Sequence, residues 1–321
     1  MYTDILEKCV KLWNLTRSPK QYEVIVELLG KALKRPVVTR WNSFYDAYEQ
    51  IVQLKDKVLY MVDKLNIKNS LVTSDFIFLK EYVKCTAPIA KALDRLQGDV
   101  TIGYGWLLPT LISTKNDLID LEKEDLIYCK PVIKVLLSSL DKRFSNYFTV
   151  VDQGKVAAVA TATHPKFKLK WLHCLDETAQ ANVMVAIKEA IAASTKSSTT
   201  NIFPMEIDND DFNFGSREAA MMTAQQNLET GAGETEFRRY CQDPKSSLAI
   251  LLAYPTVKNI FIKSNTLLPS SASVERMFSF ATMFDVAKFN RLTSANFEKR
   301  VLCKANSVWN APKGRIGKNH K

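Results

Sequence analysis

Two stretches of this chain carry residue types that could do chemistry. One is a carboxylate, Glu275, inside Leu268-Pro269-Ser270-Ser271-Ala272-Ser273-Val274-Glu275-Arg276-Met277-Phe278-Ser279-Phe280. The other is an Arg–Trp pair inside Thr39-Arg40-Trp41-Asn42-Ser43. A guanidinium can clamp a phosphate, and an indole face gains about 1 to 3 kcal/mol by stacking on an unpaired base. The same Trp41 could instead be a buried anchor opening an amphipathic helix. Glu275 falls in the first turn of a helix, where a carboxylate interacts favourably with the helix dipole and need do nothing more. His164, His173 and Cys174 come nearest to a metal cluster, yet adjacent residues of a regular element point in different directions. The six cysteines stand singly, with no Cys-x-x-Cys pair, and read as reduced, mostly buried thiols.

These residues need elements to position them, and the patterning is that of helices. Apolar positions recur at helical spacing over 4–15 and after Ser18-Pro19 to about 33. Pro36 then breaks the chain, and Asn42 or Ser43 is placed to cap a single helix over 41–65. Further helices are predicted over 74–96, with a kink at Pro88, and over 104–122, 126–148 and 176–193. The apolar run 156–163 is too short for periodicity to decide between strand and helix. Beyond it, a polar stretch with acidic residues from Glu206 to Asp211 reads as a flexible linker. Short helices follow over 234–241 and 246–254, the second stopped by Pro255. Two amphipathic helices, 271–281 and 293–305, are expected to pack back on the array and to bury Phe278, Leu292, Phe297 and Val301.

The 321 residues, 46% of them hydrophobic, suffice for one large or two ordinary domains with a buried core. No apolar run reaches the roughly 18 to 20 residues of a membrane span, and early Asp4 and Glu7 do not fit a signal sequence. An intracellular protein is therefore expected. A net charge of +10 favours an anionic partner such as nucleic acid, although the charge is dispersed rather than clustered.

From Ser264 to Asn306 the chain resembles the C-terminal dimerisation region of the hAT transposases, the hobo and Activator class. In that family a small-residue run, Ser-Glu-Arg-x-Phe-Ser and a basic Arg-x-Arg-Leu-Ser-like turn precede a closing helix ending in Lys-x-Asn. Glu275, Arg276, Phe278, Ser279, Arg291, Leu292 and Lys304-Ala305-Asn306 fit the pattern. Val274 holds the place of the first serine, and Phe289 that of a second basic residue. The stretch Thr39 to Ser43 is similar to Thr-Arg-Trp-Asn-Ser of the family's insertion domain. His164-Pro165-Lys166-Phe167-Lys168 resembles its Asp-Pro-Arg-Phe-Lys, with His164 replacing the aspartate and so given no catalytic role.

The resemblance implies a mainly α chain: a helical, insertion-domain-like array, then C-terminal helices belonging to a remnant RNase H-like core. It divides the chain into a helical domain over 1–192, a linker over 193–233, a dimerisation region over 234–306 and a basic disordered tail over 307–321. It implies DNA contacts at Arg40, Trp41, Arg276, Lys288 and Arg291, self-association through Phe278, Leu292, Phe297 and Val301, and a nuclear location. Glu275 matches the third acidic ligand of the family's catalytic site, where three carboxylates hold two divalent metals, Mg²⁺ or Mn²⁺. The two partner aspartates of that site lie on strands, and this sequence matches neither. The expectation is therefore a truncated or domesticated transposase-like protein with no metal and no catalysis of its own. A fragment of an active transposase and a helical protein-binding scaffold stand as alternatives.

Overall fold

The computed structural model describes residues 2–37, 40–98, 103–195, 231–286 and 291–309. The linker and tail expected over 193–233 and 307–321 lie largely outside them. Helices α1 (Tyr2–Leu15) and α2 (Pro19–Leu29) turn Ile5, Cys9, Leu12 and Trp13, then Ile25 and Leu29, inward. Pro19 opens α2 where its missing N–H is not needed, and Gly30 closes it at φ 75, its N–H bonded to the Val26 carbonyl.

The span 41–65 is not one helix. It is α3 (Trp41–Gln53) and α4 (Lys55–Lys64), broken at Leu54, whose φ is −97 and ψ 19. Neither proline nor glycine sits at the break. Its cause is tertiary: α4 turns to pack on α2, where Lys57 Nζ donates to the Leu29 carbonyl at 3.1 Å.

α5 (Asp75–Leu96), 22 residues long with Pro88 inside it, is the spine of this half and packs against α1, α3 and α6 (Leu107–Glu122). The Glu81 carboxylate accepts the backbone N–H groups of Ile127, Tyr128 and Cys129 at 2.8, 2.7 and 3.0 Å, which fixes the start of α7 (Lys130–Arg143). A single-turn α8 (Ser145–Phe148) leads to α9 (Gln153–Thr163), so the undecided apolar run is helical. Ala157, Ala158, Ala160 and Ala162 have no exposed surface there. Such small side chains let neighbours close on α9 from several sides, which explains why one-faced periodicity is missing.

α10 (Glu177–Thr195), α11 (Ala232–Gln242), a 3₁₀ segment (Leu248–Ala253) and α12 (Pro255–Asn265) complete the body; α13 (Ala272–Thr282) and α14 (Ser294–Trp309) follow. The fold is mainly α, with no strand among the described residues.

Two apolar cores share α6. Leu107, Leu111 and Leu118 face the core built by α1 to α5 and α7, while Leu108 and Ile112 face the one that holds Trp171, Val183, Phe237, Tyr240, Val257 and Ile260. α9 and α10 thus share a core with α11 and α12, on either side of the expected linker. Asn265, the last residue of α12, ties this core together. Its Oδ1 accepts Gly105 N–H at 2.9 Å and its Nδ2 donates to the Ala160 carbonyl at 3.0 Å. A Cβ on Gly105 would lie 2.6 Å from both the Ala160 carbonyl oxygen and Asn265 Oδ1, so only glycine permits this approach.

α13 and α14 pack chiefly on each other. Of the four residues expected to be buried, Val301 is, at 7% exposure, while Leu292 and Phe297 are half-buried. Phe278 is not: it is 66% exposed, because α14 covers one side of α13 and Phe278 lies off it, as does Val274 one turn earlier.

Candidate nucleic-acid interface at the end of helix α5

Both motif stretches are anchored on the last two turns of α5. Arg40, extended at φ −127 and ψ 107, is the N-cap residue of α3, so the cap lies two residues before Asn42 and three before Ser43, the expected caps. Asn42 and Ser43 do other work. Ser43 Oγ accepts Val37 N–H at 2.8 Å, and its one proton is shared between the Arg40 and Val37 carbonyls, at 2.6 and 2.9 Å, closing the turn that presents Arg40 and Trp41. Asn42 Nδ2 donates to the Ala90 carbonyl at 3.2 Å and to Asp94 Oδ1 at 2.6 Å, docking the turn on α5. Trp41 is left 40% exposed and Arg40 exposed, which does not fit a buried anchor.

The second stretch arrives at the same helix end. Ser270 Oγ donates to the Leu96 carbonyl at 2.8 Å, a contact across 174 residues of chain. Ala90 and Leu96 are about 9 Å apart along the axis, at 1.5 Å per residue. Ser271, the N-cap residue of α13, does not cap a backbone N–H; its hydroxyl donates instead to Glu275 Oε1 at 2.8 Å. Glu275 is exposed. Among the described residues no group of three or more His, Cys, Asp or Glu side chains is placed to hold a metal ion. A single exposed carboxylate such as Glu275 cannot by itself hold two metal ions.

Arg291 is exposed three residues before the start of α14. Lys288 and the side chain of Arg276 lie outside the described residues. Two basic residues that the motifs did not single out belong to the same helix end: Lys91 and Arg95 directly follow Ala90 and Asp94 on α5. Their four-residue spacing is visible in the sequence, but nothing there tells which helix receives the Arg40-Trp41 turn. A further basic set, Lys299, Arg300 and Lys304, lines with Phe284 and Cys303 a surface recess of about 390 Å³ between the end of α13 and α14.

The third motif, 164–168, is interior. His164 is 3% exposed, and its ring lies edge-on to Trp106 and against Phe167 and Phe261. Its Nδ1 accepts Lys166 N–H at 3.2 Å. Burial, and secondarily the Lys166 charge, push its pKa down to about 3, so the ring is neutral. Lys168, held with φ 49, donates to the Asp243 carbonyl and lies 5.0 Å from the Tyr240 ring centre; burial lowers its pKa. These residues pack and pair inside the body rather than face a ligand. Cys174 and His173 approach at 3.6 Å without joining a metal cluster.

No protein-family model matches the chain, and no curated protein matches it. No described helix is long and apolar enough to cross a membrane.

Proposed function

We propose that this chain is a transposase-derived module of the hAT class, nuclear, which binds DNA and self-associates without a catalytic centre of its own. The observation that carries this reading is the convergence of the Arg40-Trp41 turn and the Ser270 to Glu275 stretch on one end of α5, with the indole exposed. Arg40 adjoins the indole in the chain, and Lys91 and Arg95 belong to the end of α5 that receives the turn; cationic groups together with an aromatic face are the chemistry of a site for unpaired bases and the phosphates flanking them. In this reading α13 and α14 are the remnant of an RNase H-like core, and their exposed Val274 and Phe278 form the self-association surface.

Titration of purified protein against fluorescent hairpin or flapped DNA and against plain duplex tests the reading. Trp41→Ala is expected to weaken binding to DNA with unpaired bases by about 1 to 3 kcal/mol, and to duplex much less. Arg40→Ala is expected to weaken both and to lower the salt slope, since a phosphate contact is blind to sequence and pairing. Equal losses on both DNAs together with a collapsed melting temperature would reduce Trp41 to a packing residue. Failure of the parent chain to bind either DNA at physiological salt would sink the reading itself.

A further inference from the structure

Lys299 and Cys303, and Arg300 and Lys304, are spaced four residues apart on α14, so they form two adjacent rows on one side of that helix. Val301 and Ala305 lie on another side and are buried where α13 and α14 pack. Across from the rows stands Phe284, half-buried, in a turn fixed by its own N–H on the Ala281 carbonyl at 2.9 Å and by Asp285 N–H on the same carbonyl at 3.0 Å. These five side chains line the recess of about 390 Å³, which opens to solvent. Its walls are mostly carbon, the Phe284 ring and the aliphatic stems of the basic residues, with the charged heads at the rim. Among the described residues no carboxylate lines it; the neighbours Asp285 and Glu298 are exposed outside it.

We propose that this recess binds a nucleotide, free or within an unpaired strand, with the base against the carbon wall and the phosphate among the cationic heads of Lys299, Arg300 and Lys304. Charge argues for the phosphate. Like charges gathered at one recess repel, and a phosphate monoester, with about two negative charges and three acceptor oxygens, meets a guanidinium fork and an ammonium group together, where a lone carboxylate satisfies fewer. Size argues for the base. The volume falls within the range of about 300 to 1,000 Å³ that small-molecule sites occupy, and a phosphate alone would fill a minor part of it. Neither Arg40 nor Trp41 lines the recess, so the inference does not rest on the site at the end of α5.

Cys303 lines the recess as an exposed, reduced thiol and therefore reports its occupancy. The full chain is alkylated with iodoacetamide, a neutral reagent indifferent to the surrounding charge, and the rate at Cys303 is read by peptide mass spectrometry against half-buried Cys174 in the body. Adenosine monophosphate, adenosine and inorganic phosphate are each added up to about 10 mM at matched ionic strength, beside a short single-stranded oligodeoxyadenylate. Adenosine monophosphate is expected to slow Cys303 saturably, about fivefold at about four times its dissociation constant, because only empty sites react, and to leave Cys174 unchanged. Adenosine and inorganic phosphate, each carrying one part of the ligand, should protect far less. Replacing the two exposed residues together, Lys299→Gln with Arg300→Gln, should abolish protection at an unchanged melting temperature. Protection by the mononucleotide supports a free nucleotide as the occupant; protection by the oligonucleotide alone supports a strand. Protection by neither, equal protection by inorganic phosphate, or protection that survives the double substitution would overturn the proposal. Trp41→Ala should leave protection by adenosine monophosphate intact, so failure here and failure of DNA binding at the α5 end are read separately.

Discussion

Trp171, Phe167 and Phe237 in the helical body have no exposed surface, whereas Phe278 in α13 is 66% exposed and Val274, one turn before it, 52%. Both regions carry amphipathic helices of ordinary composition. In the body each stripe meets several neighbours: α9 alone packs against α6, α8, α10 and α12. The α13–α14 pair has mainly itself, and of its described side chains only Val301 and Ala305 are buried. An apolar stripe therefore specifies burial only where the fold supplies a second face. The body supplies its own; the C-terminal pair leaves part of its stripe in solvent.

The comparison is tested most severely in the body. Trp171 is fully buried and its indole N–H donates to the Lys168 carbonyl at 2.8 Å. Trp171→Ala should cost about 3 to 5 kcal/mol, read as the shift of the urea midpoint at unchanged slope. A loss below about 1 kcal/mol would mean that the body is no better packed than the pair, and the contrast would be lost.

A somewhat smaller effect is expected from acid. His164 is neutral in the folded state, with its pKa lowered to about 3 against about 6.5 when exposed. A depressed folded-state pKa gives stability that is complete above the unfolded value and is lost as pH falls toward the folded one. Between about pH 7 and about pH 4 this one group should remove roughly 3 kcal/mol. His164→Asn, which keeps an acceptor for Lys166 N–H, should show a flatter pH dependence than the parent in paired urea titrations. Identical slopes would show that His164 charges without cost.

How much of this could be read beforehand differs between levels of structure. Most helices were legible from periodicity, because local spacing fixes which residues share a face. The break at Leu54 was not, although Lys55, the one polar intrusion in the stripe, stands beside it: the packing of α4 on α2 is a contact that local spacing does not state. The helix at 153–163 escaped assignment because residues buried on most sides show no alternation. Among the site residues, Arg40, Trp41 and Glu275 could be singled out only by the resemblance of their stretches to family motifs, since residue type and spacing alone leave each with an ordinary structural role. Their convergence on α5 could not, since it rests on Asn42 reaching Asp94 and Ser270 reaching Leu96, contacts across 52 and 174 residues. The exposure of Phe278 was hidden for the same reason: a stripe does not state whether a partner face exists.

The smallest effect on stability sharpens the comparison furthest. Because Phe278 is two-thirds in solvent, Phe278→Ser should change the stability of the isolated chain by no more than about 0.5 kcal/mol, the range of surface substitutions. If the Val274 and Phe278 face is where two copies meet, the same substitution should weaken the dimer strongly, since a central aromatic anchor is commonly worth 2 kcal/mol or about that much more. Light scattering across a concentration series, run beside urea titration at a concentration where the parent is monomeric, separates the two quantities. A parent that stays monomeric throughout the series would remove self-association from the reading. A parent dimer unaffected by Phe278→Ser would move the interface elsewhere. A substitution that destabilised the monomer as much as it did the dimer would show that Phe278 is covered in solution by the chain's own body, and the contrast between the two regions would disappear.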